Sequence, residues 1–344
     1  MRIATFGEIM LRLNTQNDKR LIQSKSLEIS FAGSEANVAV DLSYWGVDAR
    51  FLTVVPDNTL GEMVLNDLNQ FKVDTSHIFK TKEERLGLLY IEQGANQRGS
   101  KVIYDREYSA FSKSELTENY FDKAFEGCDW FHWSGITPGL NENSLKNIKL
   151  AIRSAKKNGL KISCDLNYRS KLWKYGIQPF EVMHELLEET NVILGNEEDA
   201  IIMLNIDNPG INVNKGDLES ESYIAICNNI FDKFPKCEAI AFSKRESISA
   251  NHNNWSAILA TRNTFIESTN YEIKNIVDRV GAGDSFSAGI IYGLNTFNND
   301  YRKTLEFATA ASCLKHSISS DYCLATKEEI LQLVKGNSIG RIIR

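Results

Sequence analysis

Short runs rich in β-branched and aromatic residues alternate along the chain with longer segments whose apolar positions recur at helical spacing. Arg2–Gly7 predicts a strand and Glu35–Trp45 a helix; Arg50–Val55 and Leu60–Phe71 repeat that pair. The strand-like Trp130–Trp133, the helix Ser144–Asn158 and the strand Lys161–Asp165 come next, then a helix over Pro179–Thr190 and a strand at Val192–Leu194. Glu238–Phe242 reads as another strand, with a hairpin through Trp255–Ala260 after it. Strand and helix in alternation imply a mostly parallel sheet covered on both faces, with ligands at the carboxyl ends of its strands.

Two stretches, Leu11–Ala32 and Arg85–Ala110, break this rhythm. They lack helical period and carry strand-like segments such as Gly87–Ile91 and Lys101–Tyr104. They are expected to leave the α/β body and pair into a small separate sheet. That gives a division into a body of residues 1–10, 33–84 and 111–344 and an excursion of residues 11–32 and 85–110. Residues 207–222 are polar and acidic and read as an insertion or loop.

Composition narrows the partners more than the fold. The 344 residues are 42% hydrophobic and 24% charged, enough to bury a large core without disulfide or metal staples. A net charge of −6 gives no general attraction to nucleic acid or an anionic membrane, so an anionic ligand must be held by local arginines and backbone amides. The six cysteines have no Cys-x-x-Cys spacing and no histidine at metal spacing, and are expected to be buried thiols. Met1 leads straight into a strand rather than a signal peptide, and no apolar run reaches membrane-spanning length. A cytoplasmic protein is the expectation.

The segment most informative about chemistry is Asp278-Arg-Val-Gly-Ala-Gly-Asp-Ser-Phe-Ser-Ala-Gly289. Gly281, Ala282 and Gly283 clear the way for successive backbone N–H groups to converge on one anion, and the helix expected to begin there adds the positive end of its dipole. The acid that follows, Asp284, stands where an anionic ligand would be held. As structure it is a helix cap beside a tight turn. As chemistry it is a base that takes a proton from a hydroxyl attacking a phosphoryl group. The helix terminus is expected to keep it ionised and weakly basic. Phe286 occupies the third glycine position of a dinucleotide fingerprint, and no Gly-Lys-Ser or Gly-Lys-Thr of a phosphate-binding P-loop occurs.

This twelve-residue string resembles the second signature of the PfkB, ribokinase-like carbohydrate kinases, with Arg279 in place of the usual threonine. A second element, Phe31-Ala-Gly33-Ser34-Glu-Ala-Asn37, is similar to the family's Gly-Gly turn and helix-opening asparagine, Ala32 replacing the first glycine. A third, Asn196-Glu-Glu198-Asp199, matches its Asn-x-x-Glu position. The resemblance covers nearly the whole chain and implies a three-layer α/β/α fold with a mostly parallel central sheet and a β lid built from residues 11–32 and 85–110. It also implies ATP as donor and Mg2+ organised through water by Asp199 or Glu198. Asp284 would be the base and the amides of Gly281, Ala282 and Gly283 an anion hole. The family's usual nucleotide loop, Thr-x-Gly-x-x-Gly, is absent; Ser243-Lys244-Arg245 stands there. Asn196, Ser243, Arg245, Gly281 and Gly283 are then the nucleotide contacts, with Ala308–Leu314 near the adenine.

Substrate identity rests on arginines. Tyr104-Asp-Arg106 lies in the expected lid, and Asp165-Leu-Asn-Tyr-Arg169 follows a strand at its carboxyl end. Arginine pairs bidentately with carboxylates, so two arginines at a sugar pocket suit a sugar acid. The strings resemble those of the 2-keto-3-deoxygluconate kinases within the family, sharing Tyr-x-Arg, Asp-x-Asn-x-Arg…Leu-Trp and Ser134-Gly-Ile-Thr137. That resemblance implies that Gly33, Tyr90, Tyr104, Arg106, Arg169 and Asp321 contact the substrate. A kinase for a neutral sugar such as fructose or ribose, and a catalytically silent sugar-binding protein on this scaffold, are the alternatives. Exposed lid edges point to a homo-oligomer, and nothing points to nucleic acid.

Overall fold

The computed structural model describes residues 1–206 and 220–336; most of the segment expected to be an insertion falls outside them, and residues 220–222 open the helix Ser220–Lys233. The strands are β1 Arg2–Phe6, β2 Met10–Asn14, β3 Glu28–Ala32, β4 Asp48–Leu52, β5 Val54–Pro56, β6 Phe79–Thr81, β7 Gly87–Glu92, β8 Lys101–Asp105, β9 Trp130–Ser134, β10 Lys161–Asp165, β11 Val192–Gly195, β12 Ala239–Ser249, β13 His252–Thr261, β14 Thr264–Glu267 and β15 Tyr271–Lys274. One sheet runs β14-β13-β12-β11-β10-β9-β1-β4, with β15 also on β13. Its strands from β4 to β12 are parallel and β13 turns back antiparallel. A ribokinase-like α/β architecture results.

The central strands are buried along their whole length, as in β9, where Trp130 to Ser134 are all inside. Parallel strands covered on both faces need that continuous apolar content. Two hydrophobic clusters fill the two sides, one around Phe6, Phe131 and Phe242, the other around Phe51, Leu194 and Phe286. On the second side the helices Ala282–Thr296 and Tyr301–Lys315 lie very close: a Cβ at Gly289 would come within 2.5 Å of the Ala308 Cα. Ala308, Ala310 and Ala311 are thus buried in helix packing, and only Cys313 and Leu314 of the segment expected near adenine are partly exposed.

β12 extends well beyond Phe242. Residues 243–249 continue as strand in register with β13, Lys244 opposite Ser256 and Arg245 opposite Trp255. The hairpin expected after Phe242 is present and begins earlier than Trp255, with residues 243–249 forming part of its first strand. Alternation along the strand places Ser243 and Arg245 on one face and Lys244 on the other, where its ammonium meets Glu267 (3.5 Å) and the Tyr223 ring (4.9 Å).

The strands that broke the α/β rhythm form a separate sheet of order β3-β2-β7-β8. Its register puts Met10, Arg12, Leu89, Ile91, Val102 and Tyr104 on one face. Met10, Ala32, Leu89 and Ile91 pack there with Tyr104 and with Val280, beside the glycine turn. The opposite face carries a cross-strand row of Ile29, Leu13, Tyr90 and Ile103. Tyr90 therefore points away from the face that bears Tyr104, which corrects its expected place at the sugar of its own chain.

Candidate active site

The carboxyl ends of β1, β9, β10 and β11 open onto a crevice, and two helices point their N-termini into it. Gly281 is the N-cap of the helix Ala282–Thr296 with φ 85°, a conformation glycine adopts without penalty. A Cβ there would also collide with the Asp321 carbonyl at 1.9 Å, so two constraints fix glycine at this position. The Ser285 N–H closes the first helical bond on Gly281 O (2.8 Å), and the Ala282 N–H makes a long bond to Arg279 O (3.4 Å). The first N–H groups of a helix have no intrahelical acceptor, and Gly283 in this turn is exposed.

Asp284 sits in the first turn, half-buried. Both its oxygens are taken from the opposite helix, Ser34–Tyr44: Ser34 Oγ donates to Oδ1 and Asn37 Nδ2 to Oδ2, each at 2.6 Å. Asn167 Nδ2 donates in turn to Ser34 Oγ (3.1 Å), while Asn167 Oδ1 is buried without a partner among the described residues. Burial raises the Asp284 pKa, and Ser34, Asn37, Arg169 and Lys315 only partly pull it back. Against the expectation of a weak base, burial is the largest influence on this carboxyl and moves its pKa up. Gly33 precedes this helix because a Cβ there would meet the Glu8 carbonyl at 2.2 Å.

Other acids crowd the same crevice. Asp165, at the end of β10, accepts from Ser287 Oγ (3.1 Å), and burial together with Asp284 and Asp199 pushes its pKa to about 8. Asp199 is buried, accepts from the Tyr168 N–H (3.1 Å), and is raised by burial to about 7. Glu198 beside it is exposed, so Asp199 is the one aimed at the other acids. Asn196 caps its helix, Oδ1 accepting from the Asp199 N–H (2.8 Å). Below them Glu35 is fully buried, with Oε1 accepting from Ser134 N–H (3.0 Å) and Oγ (2.7 Å) and from Thr137 Oγ1 (3.2 Å); burial raises it to about 7.

The two arginines differ. Arg169 is exposed at the crevice, its Nη1 donating to the Tyr168 carbonyl (2.9 Å), and its charge acts on Asp284, Asp165 and Asp199 alike. Arg106 is buried and oriented by Glu8, whose Oε2 accepts from Nε (2.7 Å) and Nη2 (2.5 Å) while Oε1 accepts from Ser109 Oγ (2.5 Å). It lies over the Tyr104 ring at 5.6 Å. Asp321 is buried and paired with Arg12. The structure thus gathers Gly281–Asp284, Asp199 and Arg169 around one crevice, with Asp321 packed behind the turn. It adds Ser34, Asn37, Asp165, Glu35 and Glu8, which sequence reasoning did not place. A polar residue and an asparagine just after Gly33, in the element Phe31–Asn37, were the only signal for Ser34 and Asn37.

A glycine turn at a helix start, a carboxylate held by two donors, and a rim of acids and arginine meet in this crevice. The chain belongs to the pfkB family of carbohydrate kinases, whose pattern matches residues 1–322, and it is a sugar kinase. It is similar to the 2-dehydro-3-deoxygalactonokinase of Haloferax volcanii, 28% identical over 338 residues, 98% of each chain. It is also similar to the 5-dehydro-2-deoxygluconokinase of Geobacillus kaustophilus, at 27% identity over 98% of this chain and 95% of that one. The crystal structure of 2-dehydro-3-deoxygluconokinase from Thermotoga maritima superposes with a TM-score of 0.90 at 40% identity, covering 98% of this chain and 100% of that one.

The crowded acids make a prediction about stability. A folded-state pKa above the unfolded one means the native state binds the proton more tightly, so Asp165 and Asp199 weaken the fold as pH rises from about 4 to about 8. Asp165→Asn is expected to be more stable than the parent by over about 1 kcal/mol at pH 8, with the gap closing near pH 4. Urea unfolding at the two pH values reads this directly; equal stability at pH 8 contradicts the assignment.

Proposed function

We propose that this sugar kinase moves the γ-phosphoryl group of ATP to the terminal hydroxyl of 2-keto-3-deoxygluconate (2-dehydro-3-deoxygluconate). The observation that carries the choice of a sugar acid is Arg169, an exposed guanidinium in the same crevice as Asp284. Its place follows from β10, whose carboxyl end delivers residues 165–169 to the ligand side of the sheet. Arg106, oriented by its ion pair with Glu8 and backed by Tyr104, is the second carboxylate contact. Likeness to the Thermotoga enzyme supports the same substrate class.

In this reading Asp284 accepts the hydroxyl proton as that oxygen attacks phosphorus, and Ser34 and Asn37 aim its carboxylate. The amides of the 281–283 turn stabilise charge on the transferring group. A raised pKa makes Asp284 a better proton acceptor, and part of the barrier falls through positioning alone. Gly33 lets the chain pass close to Glu8 and leaves room for the sugar. Asp321, expected at the substrate, is instead buried behind the turn and supports it through its pairing with Arg12.

The residues fit Mg2+. Two buried carboxylates, Asp165 and Asp199, lie close enough for Asp199 to raise the Asp165 pKa, and burial raises both, which a divalent cation would relieve. Magnesium uses few protein oxygens and keeps its waters. Asp199 rather than the exposed Glu198 would hold it through water, and it would screen charge between the phosphates. For ATP, Ser243 and Arg245 share the strand face opposite Lys244, and Asn196 lies at the adjoining helix start; these are the phosphate contacts in this reading. The six cysteines are unpaired, as suits a reducing cytoplasm.

Self-association through the lid is part of the proposal. The row Ile29, Leu13, Tyr90 and Ile103 leaves Ile29 at 55% and Ile103 at 52% exposure on the sheet's outer face. Sedimentation at assay concentration is expected to show a dimer or larger species that Ile103→Asp dissociates; a monomeric parent contradicts it.

An ADP-release screen tests the substrate. With ATP and Mg2+, 2-keto-3-deoxygluconate and its galacto epimer are expected to outrun fructose and ribose. Arg169→Ala and Arg106→Ala should raise KM for the acid about 10- to 100-fold and leave KM for ATP nearly unchanged. Preference for a neutral sugar, untouched by either substitution, contradicts the reading.

A further inference from the structure

Arg12 is a guanidinium only 1% exposed, on the inner face of lid strand β2. It reaches out of the lid to two carboxylates of the body. Nη2 bonds Asp278 Oδ2 at 2.5 Å, and Nη1 bonds Asp321 Oδ1. Both acids touch the glycine turn. Asp278 Oδ1 accepts the Val280 N–H (3.0 Å), so its second oxygen shapes the turn while Arg12 holds the first. The Asp321 carbonyl lies directly beneath Gly281, at the spot a Cβ would occupy. Lys315, the last residue of the helix Tyr301–Lys315, donates to Asp278 O (3.3 Å) and Ile318 O (3.2 Å).

These four buried charges, Arg12, Lys315, Asp278 and Asp321, sum to zero. Without Arg12 one negative charge is left over, packed against a turn whose amides must attract a phosphoryl group. At interior dielectric such a charge acts strongly on its neighbours. A buried ion pair is seldom kept for stability alone, and this one joins lid to turn.

We propose that Arg12 is a positioning residue for phosphoryl transfer, neutralising Asp278 and Asp321 behind the glycine turn and tying lid strand β2 to it. The inference rests on the turn being the phosphoryl site of the reading above, and not on which sugar is the acceptor.

The signature is a pH dependence that a purely structural residue lacks. Burial raises the Asp321 pKa to about 6 even with Arg12 and Lys315 pulling it down and Asp278 and Asp284 pushing it up. Asp41, from the helix Ser34–Tyr44, feels Asp321 and adds to the same field. Remove Arg12 and the Asp321 pKa rises further. At low pH the acid is then protonated and the balance restored; at high pH it ionises and the surplus charge returns.

The test measures kcat and KM of the full chain with ATP, Mg2+ and whichever acceptor the parent phosphorylates fastest, from pH 6 to 9. Arg12→Met is expected to lose about tenfold or more in kcat at pH 8 with a smaller change in acceptor KM, and to recover toward the parent as pH falls to 6. Adding Asp278→Asn restores the charge balance and should regain most of the loss at pH 8. Calorimetric ATP affinity, which needs no acceptor, should weaken in Arg12→Met at pH 8 and not at pH 6. A loss equal at all pH values, with no gain in the double variant, overturns the proposal, as does parental kcat at pH 8. If Arg12→Met fails to fold, Arg12→Lys decides: it keeps the charge and should keep the parental pH profile, and a displaced profile overturns the proposal. Should the parent use only neutral sugars, the acid-substrate reading falls while the Arg12 comparison stands.

Discussion

Two hydrogen bonds of 2.6 Å, from Ser34 and Asn37 to the two oxygens of Asp284, join the N-termini of two helices that come from opposite ends of the chain. The rest of the crevice is arranged around that join. The helix Ser34–Tyr44 can approach only because Gly33 slides past the Glu8 carbonyl. The helix Ala282–Thr296 can do so only because Gly281 rides over Asp321. Both helices direct positive dipole ends at one place, where a carboxylate already sits and an anionic group must pass. The site is pre-set for charge to move across it.

Its electrostatics are those of an incomplete set. Asp165, Asp199, Glu35 and Asp321 all have pKa values raised by burial to between about 6 and about 8. Arg169 is the exposed cation facing three of the crevice carboxylates, and Arg12 and Lys315 serve the turn from behind. Such surplus acidity costs stability and is kept where ligands complete the balance. A bound cation and a substrate held by arginine would redistribute that charge at the moment of transfer.

The sequence showed the order of strands and helices, because parallel strands and amphipathic helices have different periods. It also showed the glycine turn, because bulk is missing in three successive positions ahead of an acid. Other features were hidden for identifiable reasons. Gly87–Ile91 is apolar on both faces, so no alternation says which side goes inward, and Tyr90 is turned outward by its register with Ile103. The expected strand ended at Phe242, because the polar residues after it break the apolar run, yet pairing with β13 carries the strand on to Ser249. Arg12 meets acids 266 and 309 residues away, and Glu8 meets Arg106 across 98, contacts that only the folded chain creates. The pKa of Asp284 depends on burial, which composition does not reveal.

The central claim is that Asp284 is the base and that Ser34 and Asn37 set its proton affinity. Both bonds favour the ionised carboxylate. The most direct measurement is the acid limb of kcat/KM against pH in the parent and in the Ser34→Ala/Asn37→Ala double variant. The account predicts that the limb moves to higher pH by about one unit in the variant, since the base loses the donors that hold its pKa down. A limb that stays in place while activity falls contradicts it, and assigns proton removal to another group.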